Sequence, residues 1–354
     1  MHLYIHIPFC ESKCYYCSFT SLKKKNYEDS YFNALKKDLD FQLNFFNIKK
    51  KSIKTVFIGG GTPSIIQTKY YEEIFKILEP FLAKNSENTC EANPNSTSLE
   101  WLKEMKNFGL NRISFGAQSF HPEKLKFLGR IHSQDMIFKV LENANKANFK
   151  NINLDLIYDT KMDNKKMLEF ELFNLKKIKP LITHLSAYNL SIEPKTIFAK
   201  KESFKKNAPY LMNFFIKNIK KLGFFQYEIS NFAKNKTYIC KHNLAYWQGK
   251  AYIGCGLSAI GFLKNQRFYT IKNLKDYIAN PTFRDIEKLN PQDLNLEYLF
   301  LGLRSCVGLN EKKLDNTTKE KAFFLTKKRK LIYKNGIFYN TNYLLSDEIA
   351  LYLS

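Results

Sequence analysis

The sequence predicts an α/β protein: a partial (β/α)6 barrel of the TIM type, followed by a smaller α+β domain with a winged-helix-like end. Three observations lead to this prediction. Short apolar segments alternate with segments of helical periodicity six times within about 200 residues. Residues of unusual type follow the predicted strands, where parallel barrels have their active sites. The alternation lapses beyond Tyr188, so we divide the chain into domains 1–200 and 201–354.

The predicted elements of the barrel follow one another closely. The strands are the apolar stretch that ends at Pro8, then Lys54–Ile58, Asn88–Ala92, Arg112–Phe115, Asn151–Tyr158 and Ile182–Ala187. Helical spacing of apolar residues predicts helices at Asn26–Phe46, Gln67–Ala83, Ser98–Phe108, Pro122–Leu128, Ser133–Ala147 and Asn164–Ile178. Consecutive right-handed crossovers would curl such a sheet into a barrel or partial barrel.

The second part of the chain has a different pattern. It predicts a helix at Phe204–Leu222, a strand at Phe225–Ile229, helices at Asp293–Leu303 and Asn316–Lys330, a hairpin at Leu331–Tyr339 around Asn335-Gly336, and a last helix at Ser346–Leu353. The final helix–helix–hairpin unit resembles a small winged-helix module. A packing role is the simpler interpretation, because no basic recognition helix stands out.

Composition limits the class of protein. The 354 residues carry a net charge of +23 and seven cysteines without a regular pairing pattern. We find no signal peptide and no apolar run long enough to span a membrane, so we expect a cytoplasmic protein, with peripheral attachment to the inner membrane face as a variant. The lysines are scattered, which makes nucleic acid an unlikely partner and an enzyme acting on RNA the weakest reading.

Three cysteines organise the N-terminal region. Cys10, Cys14 and Cys17 follow the first predicted strand with C-x3-C-x2-C spacing. Three thiolates are one short of the four that close a zinc site or fully ligate a [4Fe–4S] cluster, which leaves one iron open to another ligand. A zinc loop completed by a distant histidine is the alternative, less favoured because zinc loops usually bring C-x2-C pairs.

Two further stretches allow a structural and a functional interpretation. Gly59-Gly60-Gly61-Thr62-Pro63 is not a Walker loop, and it fits a tight strand-to-helix turn about as well as a ligand site. In the second stretch, His242 with Tyr246 and Trp247 could ligate iron and stack on a flat macrocycle. Spacing alone favours a hydrogen-bonded structural role for His242.

Taken together, these stretches resemble the oxygen-independent coproporphyrinogen-oxidase-like branch of the radical S-adenosylmethionine (SAM) enzymes over nearly the whole chain. The matching runs are Tyr4–Cys17, Phe57–Pro63, Glu91–Pro94, Arg112–Phe120, Gly129–His132, Asn153–Asp155, Tyr227–Phe232 and His242–Trp247. In that family the open iron is chelated by the amine and carboxylate of SAM, and one electron from the cluster cleaves SAM to a 5′-deoxyadenosyl radical.

Within this branch the chain looks more like the haem chaperones than the coproporphyrinogen III dehydrogenase. The dehydrogenase pattern has a further cysteine where this chain has Phe19, and a longer extension before its motif than Cys10 allows. The run His242–Trp247 is a haem-chaperone mark, which reverses the structural interpretation of His242. Gly256–Ile260 instead looks like the dehydrogenase version, which puts the ligand set near Cys255 in question.

The resemblance implies roles by position. It implies a [4Fe–4S] cluster on Cys10, Cys14 and Cys17, a SAM site formed by Tyr4, Tyr16, Gly60, Gly61, Thr62, Glu91, Gln118, Arg130, Asp155 and Ile260, and haem as cargo near His242, Tyr246 and Trp247. The implied function is a haem chaperone that passes haem to acceptor proteins and takes electrons from a donor. The alternative is a dehydrogenase that decarboxylates coproporphyrinogen propionates to vinyl groups.

Overall fold

The computed structural model describes residues 1–23 and 26–354. In the first part of the chain, the strands are β1 (His2–Ile7), β2 (Phe9–Cys10), β3 (Leu22–Lys23), β4 (Ile53–Gly60), β5 (Leu82–Ala92), β6 (Arg112–Gln118), β7 (Asn151–Tyr158) and β8 (His184–Asn189). The helices there are α1 (Glu28–Phe45), α2 (Thr68–Leu78), α3 (Leu99–Asn107), α4 (Pro122–Phe127), α5 (Gln134–Lys146) and α6 (Lys165–Ile178). The six predicted strand–helix alternations are confirmed.

The second part adds further elements. Its strands are β9 (Phe225–Gln226), β10 (Asn231–Ala233), β11 (Tyr252–Cys255), β12 (Ile260–Leu263), β13 (Gln266–Tyr269), β14 (Asp285–Lys288), β15 (Leu309–Asn310), β16 (Leu331–Lys334) and β17 (Ile337–Asn340). Its helices are α7 (Pro209–Lys221), α8 (Lys241–Trp247), α9 (Leu274–Ala279), α10 (Pro291–Leu303), α11 (Asn316–Lys327) and α12 (Ser346–Leu353).

One large sheet forms the centre of the molecule. Its order is β14-β13-β12-β11-β1-β4-β5-β6-β7-β8-β10-β9, and β1, β4, β5, β6, β7 and β8 lie parallel in that sequence. Among the described residues, the two edge strands β14 and β9 do not pair with each other, so the barrel stays open. This confirms the predicted partial barrel.

The two faces of the sheet differ in chemistry because side chains alternate along each strand. In β1, Leu3, Ile5 and Ile7 belong to the main hydrophobic cluster, which also contains apolar residues of the surrounding helices. The alternate residues, such as His2 and His6, lie on the opposite, inner face and are buried. The inner face of β1 therefore carries buried polar side chains.

Strands from beyond residue 200 extend this sheet at both ends. β11 is parallel to β1, with His2 opposite Tyr252, and β10 is antiparallel to β8. Pairing across about 250 residues leaves no periodic trace in the sequence, so this extension was not foreseen. The division of the chain at residue 200 stays a prediction.

Several predicted boundaries are wrong, among them the start of β5, which lies at Leu82 instead of Asn88. The helix predicted to reach Ala83 ends at Leu78, because Pro80 lies in a short 3-10 turn before β5. The helix predicted from Phe204 begins at Pro209, whose fixed φ suits a first helical position. The strand predicted at Phe225–Ile229 covers only Phe225–Gln226.

The C-terminal module has its own hydrophobic cluster, which includes Leu299, Leu325, Phe338 and Ile349. α10, α11 and α12 pack there with a three-stranded sheet in the order β15-β17-β16. The predicted hairpin is confirmed, and Asn335 and Gly336 both have positive φ at its turn. None of the helices within residues 1–23 and 26–354 has the length and apolar content needed to cross a membrane.

Candidate functional site

A cavity of about 410 Å³ opens at the carboxyl ends of the parallel strands. It brings together most of the residues predicted from the sequence: Cys10, Cys14, Cys17, Tyr16, Gly60, Gly61, Thr62, Glu91, Gln118, Arg130 and Asp155. These residues come from β2, from β4 to β7, and from the loops that follow β2, β4 and α4. The topology of the barrel thus collects side chains that are far apart in the sequence.

The loop that carries the three cysteines is fixed by main-chain hydrogen bonds. Cys17 N–H donates to the carbonyl of Cys14 at 3.2 Å, and Tyr15 N–H donates to the carbonyl of Leu128 at 3.2 Å. Burial raises the pKa of the Cys10 and Cys17 thiols. Within the described part of the chain, no three His, Cys, Asp or Glu side chains are grouped so that they could hold a single metal ion.

A polar chain connects two of the three thiols. Thr62 Oγ1 donates to Cys10 Sγ at 3.5 Å, and Arg130 Nη1 donates to Cys14 Sγ at 3.2 Å. Between them lies Asn93, whose Nδ2 donates to Thr62 Oγ1 at 3.2 Å and whose Oδ1 accepts from Arg130 Nη2 at 2.7 Å. Arg130 also donates to the Gly116 carbonyl at 2.7 Å, so its guanidinium is held from three sides.

The glycine run is needed for close packing against β1 and the residues that follow it. Gly60 has a φ of +115°, and a Cβ there would lie 2.5 Å from the His6 ring. A Cβ at Gly61 would lie 2.6 Å from the Phe9 carbonyl oxygen, which accepts a hydrogen bond from Thr62 N–H. The N–H of Gly61 donates to the carbonyl oxygen of Ile7 at 2.7 Å. The tight-turn interpretation is therefore correct, and the same turn lines the cavity.

Two carboxyl groups face the cavity and repel each other. Burial, followed by the charge of Asp155, raises the pKa of Glu91 to about 7, although Gly60 N–H donates to it at 3.1 Å. Burial also raises the pKa of Asp155, which accepts from Asn153 Nδ2 at 2.7 Å. Desolvated acids of this kind favour a cationic ligand, because a positive charge stabilises both carboxylates.

Gln118 occupies a strained position at the end of β6. Its φ is +67°, next to a register shift between β6 and β7, and its side chain lines the cavity. The following turn is held by Glu171, which accepts hydrogen bonds from the Ser119 hydroxyl and from Phe120 N–H. A non-glycine residue in this backbone region is costly, and such residues are concentrated at binding sites.

Two predicted SAM contacts lie outside the residues that line the cavity. The Tyr4 hydroxyl donates to His6 Nδ1 at 2.9 Å, because His6 Nε2 donates to the Thr20 carbonyl, and its ring stacks on Phe57. Ile260 lies on β12, is 38% exposed and pairs with Tyr269. Their roles toward SAM stay predictions.

The predicted haem residues lie on α8, near the amino ends of the strands and away from the cysteine loop. His242 is 1% exposed, and both ring nitrogens are engaged: Nδ1 with Thr55 Oγ1 at 2.7 Å and Nε2 with the Tyr246 hydroxyl at 2.8 Å. Burial lowers the pKa of His242 to about 3, so the ring is neutral. Tyr246 and Trp247 are half-buried. In this arrangement neither nitrogen of His242 is free for iron.

Sequence reasoning missed several polar residues of the cavity, among them Asn93, Ser114 and Tyr188. Each is an ordinary residue type that carries no motif by itself. Asn93 alone had a usable signal, because it follows Glu91 by two positions and comes directly after the end of β5, where site residues of parallel barrels lie. Phe19, which is 66% exposed, and Ile131, which is 61% exposed, add an apolar rim to the mouth.

The chemistry of the cavity fits both predicted groups. The cavity contains three thiols, and two of them accept hydrogen bonds from neighbouring side chains. This suits an iron–sulfur cluster, whose sulfur ligands are commonly hydrogen-bonded. Glu91 and Asp155 suit the positive charges and hydroxyl groups of SAM. Three cysteines line the cavity, so a [4Fe–4S] cluster held by them would have one iron available to another ligand.

Comparison with known proteins gives sequence matches over most of the chain. The sequence profile of the Radical SAM superfamily matches residues 4–170. The heme chaperone HemW of Bacillus subtilis (strain 168) is 33% identical over 326 residues, which cover 88% of this chain and 85% of that protein. The heme chaperone HemW of Escherichia coli (strain K12) is 37% identical over 269 residues, which cover 74% of this chain and 70% of that protein.

Comparison of structures gives a match over the whole chain. Coproporphyrinogen III oxidase (HemN) from Escherichia coli, a radical SAM enzyme, aligns with a TM-score of 0.81 over 99% of this chain and 89% of that chain. Sequence identity in this alignment is 21%, so the match shows a common fold.

Proposed function

The chain belongs to the HemW haem-chaperone family of the radical SAM superfamily, and we propose that it binds a [4Fe–4S] cluster, SAM and haem and delivers the haem to acceptor proteins. The observation that carries the proposal is the shared cavity. Three thiols with one site left open and two buried acids line the same space at the strand ends. The names of the relatives supply the cargo, haem.

Cys10, Cys14 and Cys17 would hold the cluster, with Thr62 and Arg130 donating to its sulfur ligands. When bound, the cluster supplies a single electron to SAM. Glu91 and Asp155 would bind the cationic and hydroxyl groups of SAM. The side-chain amide of Gln118, whose backbone has a positive φ, would form a hydrogen bond with SAM. The Gly60–Thr62 turn would border the methionine end.

Haem would bind at α8, with Nε2 of His242 as the iron ligand. Thr55 Oγ1 would accept from Nδ1–H and fix the tautomer, as outer hydrogen-bond acceptors do for metal-ligating histidines. Ligation requires the Tyr246 hydroxyl to leave Nε2, where it lies at 2.8 Å. Tyr246 and Trp247 would then cover the macrocycle.

Haem titration followed by Soret absorption tests this site. Tyr246→Phe removes the hydroxyl that occupies Nε2, so haem should bind roughly three- to tenfold more tightly, which corresponds to one hydrogen bond. The matched control is Tyr252→Phe, whose ring packs edge-on against Tyr246 at 4.5 Å. His242→Ala should abolish the ligated Soret band. Equal affinity in wild type, Tyr246→Phe and His242→Ala would remove His242 from the function.

The same family resemblance leaves decarboxylation of coproporphyrinogen as the alternative function. Anaerobic incubation of the reconstituted protein with dithionite, SAM and coproporphyrinogen should yield no protoporphyrinogen if the protein is a chaperone. We further propose that the haem acceptors are separate proteins, that a reduced electron donor serves the cluster, and that the protein works in the cytoplasm or at the inner membrane face.

A further inference from the structure

Asn93 lies between Thr62 and Arg130, which donate hydrogen bonds to Cys10 and Cys14. No sequence motif assigns a role to Asn93. Its backbone is fixed: the N–H donates to Ser64 Oγ at 3.0 Å, and the carbonyl accepts from Thr97 Oγ1 at 2.8 Å. The side chain is therefore presented from a rigid turn directly after β5. Its amide spans the gap between Thr62 and Arg130.

The two ends of the amide are not interchangeable. Arg130 can only donate, so the oxygen of Asn93 must face it, at 2.7 Å. The nitrogen of Asn93 must then face Thr62, at 3.2 Å, and donate to its hydroxyl oxygen. Because that oxygen accepts from Asn93, the hydroxyl proton of Thr62 is free to point at Cys10 Sγ. A cluster thiolate can only accept, so this direction suits it.

We propose that Asn93 is a positioning residue that sets the hydrogen bonds to the thiolates of Cys10 and Cys14 and thereby raises the reduction potential of the cluster. This inference rests on the proposed function, since it needs the cluster. Hydrogen bonds to the sulfur ligands and local net charge are two of the factors that set such potentials. Asn93 controls both, through the hydroxyl of Thr62 and the guanidinium of Arg130.

Asn93→Asp replaces the donor by an acceptor without changing size. The hydroxyl of Thr62 would turn to the new carboxylate and leave Cys10, and Arg130 would pair with the carboxylate and act less on Cys14. Both changes lower the reduction potential. The matched control is Asn95→Asp, which adds the same charge to the cavity lining but at a side chain that contacts Glu11, at 2.8 Å.

The experiment is an anaerobic redox titration of the reconstituted protein, followed by electron paramagnetic resonance (EPR). We expect a more negative potential in Asn93→Asp than in Asn95→Asp. Thr62→Val should lower the potential of the wild type but change that of Asn93→Asp much less, because the Thr62 hydroxyl has already turned away. Equal shifts in the two Asp variants, or a full Thr62→Val effect in both backgrounds, would overturn the proposal.

Two other outcomes are also decided. If Asn93→Asp does not retain iron, Thr62→Val in the wild type decides alone: a lower potential supports the proposal and an unchanged one overturns it. A wild type that assembles no iron–sulfur cluster would contradict the proposed function itself, and the inference with it. A normal wild-type cluster whose potential shifts equally in Asn93→Asp and Asn95→Asp would contradict the inference alone.

Discussion

The guanidinium of Arg130 donates a hydrogen bond to Cys14 Sγ at 3.2 Å, although 116 residues separate the two in the chain. Arg130 lies just after α4, and the same guanidinium reaches the carbonyl of Gly116 on β6. The cysteine loop is thus tied directly to the parallel sheet. The stability of the loop should depend on the shape of this side chain as well as on its charge.

Arg130→Lys should weaken the hold on the cluster. A lysine keeps the charge but cannot reach Cys14, Asn93 and Gly116 together, because it lacks the planar fork of arginine. Loss of an outer hydrogen-bond partner typically reduces metal affinity by about 10- to 100-fold. Iron release to a chelator measures this. Arg329→Lys, at an exposed surface position, should release iron at the wild-type rate; equal release from both variants would contradict the prediction.

Gly60→Ala should destabilise the fold strongly. The φ of +115° is unfavourable for alanine, and the new methyl group would lie 2.5 Å from the His6 ring. We expect a loss of about 2–4 kcal/mol in the free energy of unfolding. Gly249→Ala is the control, since its φ is also positive, at +61°, while its surroundings are open; it should cost about 1 kcal/mol. Thermal unfolding compares the two, and similar losses would show that the contact with His6 is unimportant.

SAM affinity should rise with pH up to about 7. Glu91 has a pKa of about 7, raised by burial and by the charge of Asp155 and lowered by its hydrogen bond from Gly60 N–H and by the charge of Arg112. A cationic ligand binds the carboxylate form, so below pH 7 each binding event must release a proton. Affinity should therefore increase by up to about tenfold per pH unit between pH 5.5 and 7.

Calorimetric titration of SAM at several pH values measures this dependence. Glu91→Gln should flatten it and lower the affinity at pH 7.5. Glu100→Gln, on the first turn of α3, is the control and should keep the wild-type profile. A profile in Glu91→Gln as steep as that of the wild type would assign the pH dependence to another group.

His242→Phe should destabilise the protein independently of any haem. The ring is buried and bonded at both nitrogens, so its removal leaves Thr55 and Tyr246 without that partner. We expect a loss of about 2–4 kcal/mol in the free energy of unfolding. His121→Phe is the control, because Nδ1 of His121 has no hydrogen-bond partner; its effect should stay below about 1 kcal/mol. Haem-free thermal unfolding compares them, and equal stability of His242→Phe and the wild type would contradict the structural role.

The parallel core was predictable because each strand and its crossover helix are local in sequence. The alternation from β4 to β8 reads directly from apolar periodicity. The pairing of β1 with β11 was not predictable, since register between strands 250 residues apart is decided by packing in three dimensions. The predicted helix ends were wrong near Pro80 and Pro209. A proline can either stop a helix or occupy its first turn, and apolar spacing does not decide between the two.

The cavity was predictable where its residue types are unusual. The cysteine spacing and the glycine run predicted Cys10, Cys14 and Gly60 as site residues, and their positions at strand ends predicted Glu91 and Asp155. The links between these residues were not predictable. That Asn93 joins Thr62 to Arg130 depends on side-chain geometry, which no spacing rule contains.

The central claim is that the three thiols hold a [4Fe–4S] cluster with one iron open to SAM. The most direct test is EPR of the anaerobically reconstituted and reduced protein, with and without SAM, together with analysis of iron, sulfide and zinc. We predict a full complement of iron and sulfide, a [4Fe–4S] signal that SAM changes, and loss of that signal in Cys14→Ala. Zinc in place of iron, or a cluster signal that SAM leaves unchanged, would contradict the account.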